Sequence, residues 1–173
     1  MEAKRYVIVA VTILVSLGLV GTAKGVEDDE RRSLAGLQGV ELLVENMKPE
    51  VEQGGLTRAD VQADVELRLR QAGIQVLTKA ESFLTPGAPV LYVSISTMKE
   101  EDCAFYAFSV KLELRQWIRL DRNLSIIHGS ATTWRAPGAV GVVGARNLRN
   151  VRENVRDEVG KFINDYLAAN PKK

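Results

Sequence analysis

Cysteine, histidine and proline are scarce in this chain, and neither sign of charge dominates it. Its 173 residues include one cysteine, one histidine and five prolines, with 23 basic against 22 acidic side chains. One cysteine excludes an internal disulfide framework, and one histidine argues against the usual three- or four-ligand zinc site. Balanced charge disfavours nucleic acid as a partner, because an excess of lysine and arginine is what holds polyanions.

Long apolar runs are also missing, except near the N-terminus. A basic pair precedes a nearly uninterrupted apolar run over residues 6–20, and small residues follow it. This pattern is typical of a secretory signal peptide. We therefore expect residues 1–23 to be a signal peptide, cleaved after Ala23 or Gly25, and the protein to be exported, to a bacterial periplasm. The alternative is an uncleaved inner-membrane anchor, although the run is shorter than the about 20 apolar residues that span a bilayer.

The rest of the chain alternates between strand and helix periodicity. Residues 24–37 are charged and irregular, which predicts a flexible lead. A cap at Thr57 and a left-handed Gly73 predict a helix over residues 58–72, and a second helix is expected to follow a cap at Asn147. Apolar residues at every second position predict strands. They lie at residues 39–47, 74–77, 91–96, 106–120 and in the segment that leads to Trp134.

Strands joined by hairpins, together with two amphipathic helices, predict an α+β fold. We expect one domain over residues 38–170, built as a two-layer sandwich. A mainly antiparallel sheet of four to five strands would form one layer, and both helices would lie on one face of it.

A turn over residues 121–124 is expected to set the register of the central hairpin. A four-residue loop there predicts that Ile127 faces the core and that both tryptophans face solvent, whereas a shift by one residue would bury His128 and Trp134. The pairs that this register predicts are Leu120 with Ser125, Ile118 with Ile127, Trp117 with His128, and Lys111 with Trp134.

The face of the sheet turned away from the helices is the first candidate binding surface. Tryptophan and arginine are the residue types that carry much of the energy of protein interfaces. The alternative is that these side chains only form cross-strand pairs that stabilise the sheet. The candidate residues are Trp117, Trp134, Arg115, Arg119, Lys111 and His128.

A glycine-spaced apolar segment before the last helix is the second candidate. Its spacing matches no phosphate-binding motif, so we interpret it as a loop whose valines touch a membrane surface or an apolar groove of a partner. The alternative is a loop that tucks its valines over the end of the sheet. The candidate contact residues are Gly138, Val140, Gly141, Val142 and Gly144.

Catalytic motifs, metal sites and cofactor sites are not predicted. His128 is the one side chain suited to act as a base near neutral pH, but no Gly-x-Ser-x-Gly element accompanies it. Cys103 is interpreted as a small buried apolar residue rather than a nucleophile.

The order β, α, β, β, β, α behind a signal peptide resembles small domains of the bacterial envelope, such as the N-terminal domain of TolB and the lipoprotein LptE. The stretches GLTRADVQADVELRLRQAGI and FINDYLAANP are similar to those of uncharacterised exported bacterial proteins. The resemblance implies a fold and a compartment only. The chain has no lipid-anchor cysteine, so it departs from LptE and implies no outer-membrane partner.

The sequence therefore predicts an exported, non-enzymatic binding or adaptor domain of the bacterial envelope. It would engage a protein or amphiphilic ligand through the outer sheet face, without a cofactor. One alternative is a hydrolase or transferase acting on envelope components, with His128 as base. Another is a structural subunit that self-associates through an unpaired strand edge.

Overall fold

The structure, a computed structural model, describes residues 28–99 and 103–171. The predicted signal peptide, residues 1–23, and the acidic residues 100–102 lie outside the described residues. A short helical segment covers residues 28–32. The strands are β1 Gly39–Val44, β2 Gln75–Leu77, β3 Val90–Met98, β4 Phe105–Leu120, β5 Asn123–Arg135 and β6 Ala139–Gly144. The helices are α1 Pro49–Gln53, α2 Arg58–Gln71, α3 Lys79–Leu84 and α4 Val151–Ala169, with a 3₁₀ turn over Ala145–Asn150.

The six strands form one mixed sheet. β1 pairs in parallel with both β2 and β3, while β4 pairs antiparallel with β3, β5 and β6. The α+β class is confirmed, but the mainly antiparallel sheet of four to five strands is corrected to a mixed sheet of six. Helices separate β1 from β2 and β2 from β3, so each link returns the chain to the same end of the sheet and the next strand runs parallel.

Helix α2 begins and ends where its sequence signals predicted. The amide of Asp60 donates to the Thr57 hydroxyl over 3.1 Å, which satisfies one free N–H of the first turn. At the other end Gly73 has φ +77°, and the amide of Ile74 returns to the carbonyl of Leu69 at 2.9 Å. The predicted second helix is confirmed as α4, but it begins at Val151, after a 3₁₀ turn that contains Asn147.

One hydrophobic core joins the sheet to both long helices. Its members are alternate strand residues, such as Val40, Leu91 and Leu112, and the apolar stripes of α2 and α4. We call this side of the sheet the inner face and the opposite side the outer face. The β4 residues from Tyr106 to Leu114 that were predicted to point inward are all buried.

Residues 28–37 pack against the body of the protein, which corrects the flexible lead for this part of the chain. Leu34 is fully buried in the core. The Tyr166 hydroxyl donates to the carbonyl of Leu37 at 2.9 Å, and the side-chain amide of Asn170 donates to that of Leu34 at 2.9 Å. The apolar Leu34, which follows the charged residues 27–32, was the overlooked signal.

The register between β4 and β5 differs from the prediction. The pairing changes by bulges between Leu114 and Leu120, so Trp134 lies opposite Leu114 rather than Lys111. Trp134 is therefore on the inner face and is only 2% exposed. A prediction from turn length alone cannot include such bulges, because each one shifts the register of every residue beyond it.

Ile127 and His128 also lie on the faces of the hairpin opposite to those predicted. Ile127 lies opposite Arg119 and is exposed, although it was predicted to face the core. His128 lies opposite Ile118 rather than Trp117. The end of the β4–β5 hairpin has no core beneath it, since all residues from 121 to 130 are exposed.

Candidate binding cleft on the outer sheet face

A shallow cleft lies on the outer face where β1, β3, β4 and β5 meet, and we call it the Trp117 cleft. The volume of this cleft is about 130 Å³.

 

Pockets that enclose a small molecule usually measure about 300–1,000 Å³. The cleft is therefore of a size to receive one side chain or the end of an acyl chain. Its lining residues are Leu43, Ala88, Val90, Tyr92, Arg115, Trp117, Gly129 and Ser130.

Trp117 forms one wall of the cleft, and its ring packs against Phe83 of α3, which lies beside the cleft. The two rings meet edge to face, with their centres 5.2 Å apart. Trp117 is 42% exposed and Phe83 is 64% exposed. On the opposite strand Gly129 lies against the indole, since a β-carbon there would be in ordinary contact with its ring nitrogen, at 3.4 Å. The pair is thus an aromatic surface that is supported from behind and open to solvent.

Arg115 forms the floor of the cleft and is held on two sides. Its guanidinium carbon lies 3.5 Å from the ring centre of Tyr92, which is a close stacking contact. Its Nε and Nη2 atoms donate to one carboxylate oxygen of Glu113 over 3.1 and 2.9 Å. Because both contacts fix the planar group, little side-chain entropy remains to be lost when a partner binds.

Glu45 lies next to Tyr92 of the cleft, close to the polar residues Ser94 and Lys111 of the outer face. A hydrogen bond from Ser94 is the main cause that lowers the pKa of the Glu45 carboxyl, with smaller effects of Tyr92, Arg115 and Lys111. Burial raises the pKa of the Tyr92 hydroxyl, and Glu45 adds to this effect. Glu45 is therefore charged and Tyr92 neutral at physiological pH.

The six predicted outer-face residues are only partly brought together. Trp117 and Arg115 line the cleft, and Lys111 is exposed further along the same face of β4. Arg119 lies beyond the cleft on the hairpin, where it donates to the carbonyl of Leu124 at 2.9 Å. His128 is exposed opposite Ile118, on the other side of the hairpin from Trp117.

Trp134 lies in the hydrophobic core instead. Its ring packs edge to face on Phe162 at 5.1 Å, and its Nε1 donates to the Asp165 carboxylate at 3.0 Å. The expectation that it lies exposed on the outer face is therefore corrected.

Tyr92 lines the cleft, and Phe83 packs against Trp117 beside it. Tyr92 alternates with inward residues of β3, which was a usable signal. The helix α3, which carries Phe83, was not predicted, although Thr78 and Glu81 have the spacing of the capping box that begins it.

The glycine-spaced segment is a strand, β6, rather than a loop. Ala139 and Val143 pack against the core, while Val140 and Val142 are 89% and 71% exposed. Gly141 permits close packing, because a β-carbon there would lie 2.8 Å from Cζ of Phe108. Gly138 donates its amide to the buried carboxylate of Glu158 at 3.0 Å, and Gly144 ends the strand.

Side chains that would support catalysis do not gather at the cleft. Within residues 28–99 and 103–171, no group of three or more histidine, cysteine or acidic side chains is placed to hold a metal ion. In the same ranges no hydrogen bond joins His128 to a serine or a carboxylate. Cys103, predicted to be buried, is exposed.

The comparisons with protein-family models, curated proteins and solved structures give no match for this chain. None of the helices in the described part of the chain has the length and apolar character needed to cross a bilayer.

Proposed function

We propose that this protein is a non-enzymatic binding domain of the bacterial envelope, and that it holds an apolar or aromatic side chain of a partner protein in the Trp117 cleft. The observation that carries the proposal is the half-exposed Trp117–Phe83 pair beside the fixed Arg115. The N-terminal sequence pattern and the resemblance to small envelope domains support the location. The fold would then serve as a two-layer scaffold that leaves the outer face free for the partner.

The chemistry of the cleft favours a protein partner. Aromatic rings and an arginine at the centre of a patch, with polar groups at its edge, are the arrangement found at energetically important parts of interfaces. Here Lys111 and Glu45 supply charges of both signs beside the cleft. A partner that places an apolar side chain on Trp117 and polar groups around it would fit both the aromatic centre of the patch and its charged edge.

Capture from the native envelope tests this proposal. The full chain with a C-terminal tag would be expressed in its own cells as wild type, as Trp117→Ala, and as the control Leu67→Ala. Leu67 is 57% exposed on α2, away from the cleft. Captured proteins would be quantified by mass spectrometry, and the main partner would then be purified and titrated against each variant.

We expect Trp117→Ala to weaken binding of the purified partner by about 30-fold or more, because truncation of a central aromatic residue commonly costs about 2 kcal/mol or more. Leu67→Ala should bind as the wild type does. Equal binding by all three proteins would remove the cleft from consideration. Circular dichroism of each variant confirms that the fold is kept.

A further inference from the structure

Within residues 28–99 and 103–171, β6 is an edge strand that carries none of the usual protection against strand pairing. It pairs with β4 on one side only. Its sequence, Ala-Val-Gly-Val-Val-Gly, contains no charged residue and no proline. Soluble proteins usually protect such edges with lysine, proline, a bulge or a covering element, because free backbone groups at an edge pair readily with another strand.

Hydrogen bonds at the two ends of β6 show the direction in which each backbone group of the strand points. Beyond the strand, the amide of Ala145 donates to the carbonyl of Ala104 next to β4. Before it, the amide of Gly138 points the other way and meets Glu158. Since direction alternates along an antiparallel strand, the backbone groups of Val140 and Val142 point to the free edge. Among the described residues they have no hydrogen-bond partner.

Apolar side chains continue from this edge across the outer face. Val140 and Val142 project there, and Val142 lies opposite Ala107, which in turn lies opposite Met98 of β3. Met98 is 69% exposed. A strand added to β6 would therefore gain both backbone hydrogen bonds and apolar contacts.

We propose that the β6 edge pairs with β6 of a second copy of this chain, antiparallel and around a two-fold axis at Gly141. In this register Val140 of one copy exchanges both backbone hydrogen bonds with Val142 of the second copy, and the reverse pair forms on the other side of the axis. The valines of the two copies then lie side by side on one continuous outer face. The edge is self-complementary because its free residues flank Gly141 symmetrically.

Charge also favours a second copy as the occupant. A net charge of +1 gives two copies almost no mutual repulsion, and the strand itself carries none. Stable interfaces usually bury about 1,200–2,000 Å² in total, and a contact between two six-residue strands is smaller. The dimer is therefore weak and depends on protein concentration.

Sedimentation velocity tests the pairing and is independent of the Trp117 cleft. The protein, expressed as the full chain, would be measured from about 1 to 500 μM, a range suited to weak association, as wild type and as Val142→Lys. Leu67→Lys, which adds the same charge at an exposed leucine of α2, is the control. We expect dimer to form with rising concentration in the wild type and control, and at least tenfold weaker association for Val142→Lys.

A cross-linking experiment tests the register. In a Cys103→Ser background, Val140→Cys and Val142→Cys would be oxidised separately and as a mixture. Hydrogen-bonded partners lie about 5.5 Å apart between Cα atoms, a distance that a disulfide spans. The mixture should therefore form covalent dimer faster than either variant alone. A monomer at every concentration, equal association of all variants, or no preference in the mixture would overturn the proposal.

Discussion

At the residue scale, the two tryptophans show how position decides the role of a side chain. Trp134 lies inside with its indole N–H bonded to Asp165, while Trp117 remains half exposed above the cleft. Both belong to the same hairpin. The difference arises from bulges between them, which place one ring on each face of the sheet.

Asp64 of α2 is a charged residue that contacts two arginines of α4. It receives hydrogen bonds from Arg152 over 2.8 Å to each carboxylate oxygen, and another from Arg156 over 3.0 Å. These contacts join α2 to α4. The hydrogen bond from Arg152 is the main cause that lowers the pKa of Asp64 below its ordinary value of 3.8.

Asp64→Asn should lower the free energy of unfolding by about 1–2 kcal/mol at pH 7, as expected for charge-assisted hydrogen bonds that are partly shielded from water. Because the folded-state pKa is depressed, this stability is present above pH 3.8 and is lost as the pH falls through the folded-state pKa. Urea unfolding of both proteins between pH 7 and pH 2 measures the difference, with the exposed Asp157→Asn as control. A difference that stays constant with pH would contradict this account.

At the element scale, β6 is a strand that its glycine-rich sequence did not predict. Glycine weakens the strand signal of the sequence, yet Gly141 is what lets β6 lie against the ring of Phe108. Helix α4 contains a glycine, Gly160, that is not closely packed. Gly160 has nothing within 4 Å of the position that a β-carbon would occupy.

The two glycines should therefore respond oppositely to alanine. Gly160→Ala should raise the free energy of unfolding by about 0.5–1 kcal/mol, because glycine costs about that much inside a helix. Gly141→Ala should lower it by about 1–3 kcal/mol, since the added methyl overpacks against Phe108. Chemical denaturation of both variants measures the changes. Two changes of the same sign would show that the local packing differs from that described.

The sequence was informative where structure is set locally. The cap at Thr57 and the left-handed Gly73 bound α2, and alternation along β4 identified its buried side. Parallel pairing of β1 and the bulges of the β4–β5 hairpin depend on contacts between distant residues, which no local pattern records. The same distinction holds at the cleft, where Trp117 and Arg115 were predicted but the contact of Trp117 with the distant Phe83 was not.

At the scale of the whole molecule, the two ends of the described chain are joined. Arg31 donates to Asp165 at 3.0 Å, and Asn170 accepts from the amide of Gly36 at 2.7 Å while it donates to the carbonyl of Leu34. Asp165 also holds Trp134. The segment before β1 is thereby connected to α4 and, through Asp165, to β5.

Leu34 tests whether this segment folds with the rest of the molecule. Leu34→Ala should lower the free energy of unfolding by about 2–5 kcal/mol, the usual cost of truncating a fully buried leucine, whereas Leu67→Ala should change it by less than about 0.5 kcal/mol. Tryptophan fluorescence and circular dichroism should report one shared transition, because the leucine lies in the common core. If Leu34→Ala left the unfolding midpoint unchanged, residues 28–37 would be a detached lead and the core would be complete without them.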